Sequence, residues 1–126
     1  MGSVVLRSFL RFRVSRPGHF RELRTWDICI KWDYFAKDTI GKQLVRAADS
    51  ISVNLAEGHG RYHFKDRLNF CYYARGSLEE TKSWLSKAVR RRLISYEING
   101  IKQIIELLPK KLNAYITSMK KVHNID

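Results

Sequence analysis

Between Ile98 and Val122 apolar side chains recur alternately three and four residues apart without a slip: Ile98, Ile101, Ile105, Leu108, Leu112, Tyr115, Met119 and Val122. Such spacing keeps one stripe of a helix apolar along its whole length, and that stripe has to be covered by other helices. A second seam precedes it. Phe64, Cys71, Leu78 and Leu85 stand at heptad spacing with Ala74, Thr81 and Ala88 interleaved, which predicts a helix from about His63 to Arg92 that faces other helices. Gly100 and Pro109 fall within the last stripe. The proline removes a backbone donor and crowds the carbonyl one turn back, so one helix kinked near Glu106 to Leu108 is expected, opening after Ser95.

Two further helices are expected upstream. Ile40, Leu44, Ala47, Ala48, Ile51 and Leu55 form one stripe, with Asp38 or Thr39 able to cap its start and Gly58 suited to a left-handed cap at its end. From Phe20 to Ala36 the residues Leu23, Trp26, Cys29, Ile30, Trp32 and Phe35 suggest a shorter first helix with a broad apolar face. Residues 1–19 lack a period and end in the turn signal Pro17-Gly18, so they read as a basic arm before a single domain spanning 20–123. The expected fold is all-α: an antiparallel up-and-down four-helix bundle with a shortened or irregular first helix and a basic N-terminal arm.

Charge narrows the class of partner. The 126 residues carry 24 Lys and Arg against 12 Asp and Glu, a formal +12, and polyanions are the natural partners of such a surface. Residues 1–24 hold six arginines and one acid, contributing 6 − 1 = +5 and leaving +7 for the rest, so the body of the protein is basic without the arm. The bland alternative is a solvated basic face. Cys29 and Cys71 sit among apolar neighbours without CxxC spacing and read as reduced core thiols of a cytoplasmic protein. No run is long enough to span a bilayer, so no membrane association is expected. The Arg-rich, nearly acid-free start also has the composition of an organellar transit peptide or a membrane-surface helix.

At the centre of the chain the words become specific: GKQLVRAADSI (Gly41 to Ile51), NLAEGHGRY (Asn54 to Tyr62), ARGSLEETKSWL (Ala74 to Leu85) and, later, KLNAYI (Lys111 to Ile116). In these motifs, their order and their spacing, the chain resembles the bacterial four-helix-bundle proteins encoded in intervening sequences of 23S ribosomal RNA genes. The resemblance implies a four-helix bundle that assembles as a homopentamer. It further implies kinship with the accessory proteins of diversity-generating retroelements, basic pentamers that bind a reverse transcriptase and nucleic acid. No defined activity follows for the intervening-sequence branch itself. The chain departs from the family at its front, where a longer first helix is replaced by MGSVVLRSFLRFRVSRPGHFRELR. A shortened first helix would uncover part of the groove of the other three, which the arm residues Leu6, Phe9, Leu10 and Phe12 could cover; a frame error or unusual start in the gene would give the same sequence.

Most chemistry is declined on spacing. His59 and His63 stand four apart near Glu57 and Asp66, but Gly58 and Gly60 put His59 in a turn, so no metal site is expected. Asp49, Glu57, Glu79 and Glu80 are not marked out for acid–base work. Glu79 with Lys82, and Arg46 with Asp49, have the spacing of ordinary helix ion pairs, while Asn54 and Glu57 are placed to satisfy loop backbone at the end of the second helix. No catalytic residue and no cofactor are expected.

The cations are the better candidates, because phosphate binding needs many long cationic side chains on one surface. Arg61, Lys65 and Arg67 surround the start of the third helix and Arg90, Arg91 and Arg92 its end, with Arg46 on the second helix and Lys110, Lys111, Lys120 and Lys121 along the fourth. Tyr62, Tyr72 and Tyr73 could stack on unpaired bases if they point outward, although core packing is the simpler role for Tyr72 or Tyr73. These features together predict a non-enzymatic, oligomeric protein that binds RNA or DNA backbone. The alternative is an interaction scaffold that docks an acidic partner or a polymerase such as a reverse transcriptase.

Overall fold

The computed structural model describes residues 14–16, 19–20, 24–95 and 100–123, with side chains from residue 24 onward. The arm residues Leu6, Phe9, Leu10 and Phe12, the turn Pro17-Gly18 and Ile98 lie outside the described residues. Two short strands, β1 (Val14–Arg16) and β2 (His19–Phe20), pair antiparallel, with Val14 opposite Phe20. From Thr25 onward every described element is helical.

The first helix is shorter than its apolar pattern suggested. It begins at Thr25, not Phe20, because Phe20 belongs to β2, and α1 (Thr25–Cys29) ends after little more than a turn. The chain breaks at 30–33 because Asp33 is extended, at φ −64° and ψ 166°, and its carboxylate accepts from the Ala36 amide at 2.8 Å. Asp33 therefore starts the next rod, through α2 (Tyr34–Ala36), a π-helical stretch (Lys37–Gly41) and α3 (Lys42–His59), with right-handed helical dihedrals at each junction. Neither Asp38 nor Thr39 caps a helix. Asp38 pairs with Lys42 at 2.9 Å, and the Thr39 hydroxyl donates back to the Phe35 carbonyl at 2.7 Å, inside the rod.

The end of α3 also differs from expectation. Gly58 is buried within the helix, and the C-cap is Gly60 at φ −81°. What Gly58 supplies is closeness: a Cβ there would lie 2.7 Å from Phe70 Cβ and 3.2 Å from the Arg67 carbonyl. Four residues after the Gly60 cap α4 (Phe64–Arg90) begins, and it carries the predicted seam, with Cys71, Ala74, Leu78, Thr81, Leu85 and Ala88 all buried. It closes in a Schellman motif, the Leu93 amide bonding Ala88 O at 2.9 Å and the Arg92 amide bonding Val89 O at 3.0 Å. Arg92, expected as the last helical residue, instead takes the left-handed position at φ 61° that glycine usually fills.

The last helix, α5 (Ile101–Val122), opens on Gly100 at φ 67° rather than just after Ser95, and it runs through Pro109 as one helix. Ile101, Leu108, Leu112, Tyr115 and Met119 of the predicted stripe are buried, joined by Ile104 and Ile116. Ile105 is half-buried and Val122 is exposed, so the stripe slides by one residue where it meets its partners. Arg46–Glu80, Asn54–Ser77 and Gly58–Phe70 pair ascending numbers with descending ones, so α3 and α4 run in opposite directions. Cys71–Met119 and Phe64–His123 set α5 antiparallel to α4 in the same way.

The core has two parts. Ile51, Leu55, Cys71, Leu78, Leu112 and Tyr115 belong to the cluster that binds α3, α4 and α5 together. The second cluster fills the other end, where Cys29, Ile40, Leu44, Leu85, Ala88, Ile94 and Ile101 meet. Here the Cβ position of Gly41 faces Cys29 Cβ and the Trp32 ring at 3.6 Å, ordinary contact distances, while the Ala36 carbonyl at 3.3 Å is its one tight neighbour.

Candidate nucleic-acid interface

The short loop 60–63 and the closing turn of α5 decide where the cations gather. Phe64, at the start of α4, stacks on His123 just past α5, with ring centroids 4.1 Å apart and planes 7° from parallel. One end of the molecule thus collects Arg61, Lys65 and Arg67 with Lys120 and Lys121. Arg90, Arg91 and Arg92 lie at the far end of α4, about 40 Å away at 1.5 Å per helical residue. Lys110 and Lys111 fall between, on α5. Most of the candidate cations therefore gather at two separate ends rather than in one patch, and Lys110, Lys111 and Arg46 belong to neither.

Their availability differs. Arg46 donates to Glu80 Oε2 at 2.9 Å and to Gln43 Oε1 at 2.8 Å, so it joins α3 to α4 and does not pair with Asp49 as its spacing suggested. The Glu80 carboxylate is held from a second side by Trp84 Nε1 at 3.2 Å. Arg61 donates to Glu57 Oε1 at 2.8 Å while its guanidinium lies 4.9 Å over the centre of the Phe70 ring. Glu57 is thereby occupied by a side chain rather than by loop backbone, and Asn54 likewise donates to Ser77 Oγ at 3.4 Å. Glu79 and Lys82 do form the expected pair, at 3.2 Å.

Arg67 turns partly inward: its Nε is buried with no hydrogen-bond partner among the described residues. It lies close enough to Tyr115 to oppose the rise in that phenol's pKa, which burial first and the neighbouring Cys71 second push up to about 12. Lys65, Arg90, Arg91, Arg92, Lys110 and Lys121 are exposed, Lys120 is half-exposed, and none of them pairs with an acid among the described residues. Lys111 is half-buried and engaged.

The tyrosines separate cleanly. Tyr72 packs on the core and carries Arg75 over its ring at 4.9 Å. Tyr73 is 55% exposed, and its ring meets Phe70 edge-on at 5.3 Å. Tyr62 is 90% exposed, touching His63 edge-on at 5.1 Å. Arg75 and Phe70 were not singled out from the sequence, although the three-residue spacing from Tyr72 to Arg75 and from Phe70 to Tyr73 carries both contacts. His59 ends α3 and His63 precedes α4, so the two belong to different elements, and among the described residues no three His, Cys, Asp or Glu side chains are grouped to hold a metal.

A model of the 23S rRNA-intervening sequence protein family matches residues 13–114, which takes in all the helices through most of α5. The chain belongs to that family. A search of curated proteins gives no match. In this intervening-sequence family member the matched region holds both cationic ends of α4, whereas Lys120 and Lys121 lie beyond it. No helix among the described residues is long and apolar enough to cross a membrane.

A second exposed surface was not anticipated. Trp26 is 64% exposed, Ile30 50%, and Tyr34 and Phe35 77% each, although the sequence placed most of them on a buried face. Trp26, Ile30 and Tyr34 line an apolar cleft of about 420 Å³ with Cys29 and Val45, and Lys37, Lys42 and Arg46 stand at its edge.

Proposed function

We propose that this protein is a non-enzymatic, cytoplasmic adaptor that binds the phosphate backbone of RNA or DNA and associates with copies of itself. The observation that carries the reading is the end of the molecule where Phe64 stacks on His123, which brings exposed Lys65 and Lys121, without acidic partners among the described residues, to the same end as Arg61, Lys120 and an exposed Tyr62. Cations left unpaired by neighbouring acids keep their charge available to phosphates, and helix-mounted side chains hold a fixed spacing. In this reading the helices form an up-and-down four-helix bundle, with α1 as a truncated first member and residues 1–19 as a basic arm.

Binding measured against salt tests the proposal. Log K should fall linearly with log[salt], and each phosphate-contacting lysine replaced by alanine should reduce the slope by about 0.7–0.9. A flat plot overturns it. Self-association is supported by Trp26, Ile30 and Tyr34, exposed apolar residues that line one cleft, and by the exposed Phe35 that follows Tyr34, since apolar surface of this kind marks interaction sites. Light scattering should give a mass above the monomer that Phe35→Glu lowers. A monomer at every concentration removes that part of the reading. The same apolar surface favours, as a second reading, a scaffold that docks a protein such as a polymerase; partner capture would then survive nuclease treatment.

A further inference from the structure

At the α3–α4 corner one guanidinium and two aromatic rings touch in turn, and a third ring belongs to the residue after the arginine. The Arg61 guanidinium covers the Phe70 ring at 4.9 Å, and the edge of Phe70 meets Tyr73 at 5.3 Å. Tyr62 follows Arg61 directly and is the most exposed large hydrophobic residue described, at 90%. Glu57 fixes Arg61 through one terminal nitrogen at 2.8 Å, which orients the guanidinium and leaves its other donors uncommitted. Lys65, exposed and with no acidic partner among the described residues, is the second residue of α4. Core packing accounts for Phe70 in part, because Gly58 gives it room, but it does not account for two tyrosine rings left in water.

We propose that this corner selects single-stranded nucleic acid over duplex, with Tyr62 and Tyr73 as stacking platforms for unpaired bases and Arg61 and Lys65 as contacts to the intervening phosphates. The inference rests on the backbone-binding reading above and gives it a substrate class. Stacking of a base on an aromatic ring needs a free base face, which a duplex conceals and a single strand offers. Phosphate contacts alone would favour the duplex, whose charge density is higher. The tyrosines therefore decide the preference, and the lysine and arginine supply affinity common to both forms.

The test uses the full chain and fluorescence anisotropy with three probes: short oligouridine, oligodeoxythymidine of the same length, and a blunt DNA duplex. The single strands should bind more tightly than the duplex. Tyr62→Ala and Tyr73→Ala should each weaken single-strand binding by about 5- to 100-fold, leaving duplex binding and the salt slope unchanged. Tyr62→Phe and Tyr73→Phe should restore it, because the ring and not the hydroxyl stacks. Tyr62 supports no core residue, so its variant stays folded. Equal binding of all probes, or tyrosine variants that change nothing while the salt slope persists, would overturn the single-strand inference alone. Loss of salt-dependent binding to every probe would overturn the backbone reading as well. Preference for uridine or deoxythymidine strands identifies RNA or DNA as the source of the bases, and either supports stacking.

Discussion

Arg46 of α3 and Glu80 of α4 meet at 2.9 Å across the helix pair, although they stand 34 residues apart in the chain. The contact turns one candidate phosphate ligand into a helix-to-helix clamp. Both side chains are substantially exposed, at 62% and 41%, so solvent screens the pair. Arg46→Ala should cost only about 0.2–1 kcal/mol in urea denaturation. It should leave the salt slope of nucleic-acid binding nearly unchanged, whereas Lys65→Ala should do the reverse, reducing the slope without altering stability.

Glycine substitutions should separate three roles. At Gly58 a new Cβ would collide with Phe70 at 2.7 Å, so Gly58→Ala should destabilise by about 1–3 kcal/mol through overpacking. At Gly76, an exposed position within α4, nothing lies within 4 Å, and Gly76→Ala should stabilise by about 0.5–1 kcal/mol through backbone entropy. Gly60 has ordinary contacts at 3.6 and 3.8 Å and a negative φ, so Gly60→Ala should fall between them. Urea midpoints of the three variants check the order.

Arg92 offers a way to separate stability from charge. Its φ of 61° places a side chain in a backbone conformation that disfavours one. Arg92→Gly should stabilise by up to about 1 kcal/mol, since glycine enters the left-handed region without steric cost. The same change removes an exposed cation. A raised thermal midpoint together with a shallower salt dependence is the expected pair of outcomes, measured by circular dichroism and anisotropy.

Stability should fall at alkaline pH. Burial pushes the thiols of Cys29 and Cys71 from 9.0 up to about 11, and pushes Tyr115 from 10.0 up to about 12. In the window between these values the unfolded chain has already released protons that the folded chain retains. The contribution of these groups is therefore complete below about pH 9 and is lost as pH rises through 11 to 12. Urea midpoints should be flat across neutral pH and decline above pH 9, with the decline reduced in Cys71→Ala after allowing for its lower baseline. A thiol reagent at neutral pH should label neither cysteine until the protein is unfolded.

The seam from Cys71 to Ala88 and the stripe from Ile101 to Met119 were legible because periodic apolar residues can be buried in only one way on a helix. The unpaired cations at 90–92 were equally legible as charge. Three things were not. Asp33 rather than Asp38 caps the second rod because the choice depends on which amide comes within reach of a carboxylate. Gly58 serves close packing inside a helix rather than its cap, because the Phe70 that approaches it belongs to the next helix. Arg46 found Glu80 rather than Asp49 because the partner sits on another helix.

The sequence by itself determined that long helices form, which faces they bury and that the surface carries a large positive excess, because these follow from local spacing and composition. Only the tertiary structure decided which cations are left unpaired, which tyrosines face water and where the first helix stops. The pairing of the cations depends on contacts between residues far apart in the chain, as Arg46 with Glu80 shows, and the first helix stops where one of several possible carboxylates, that of Asp33, meets an amide; spacing alone encodes neither choice.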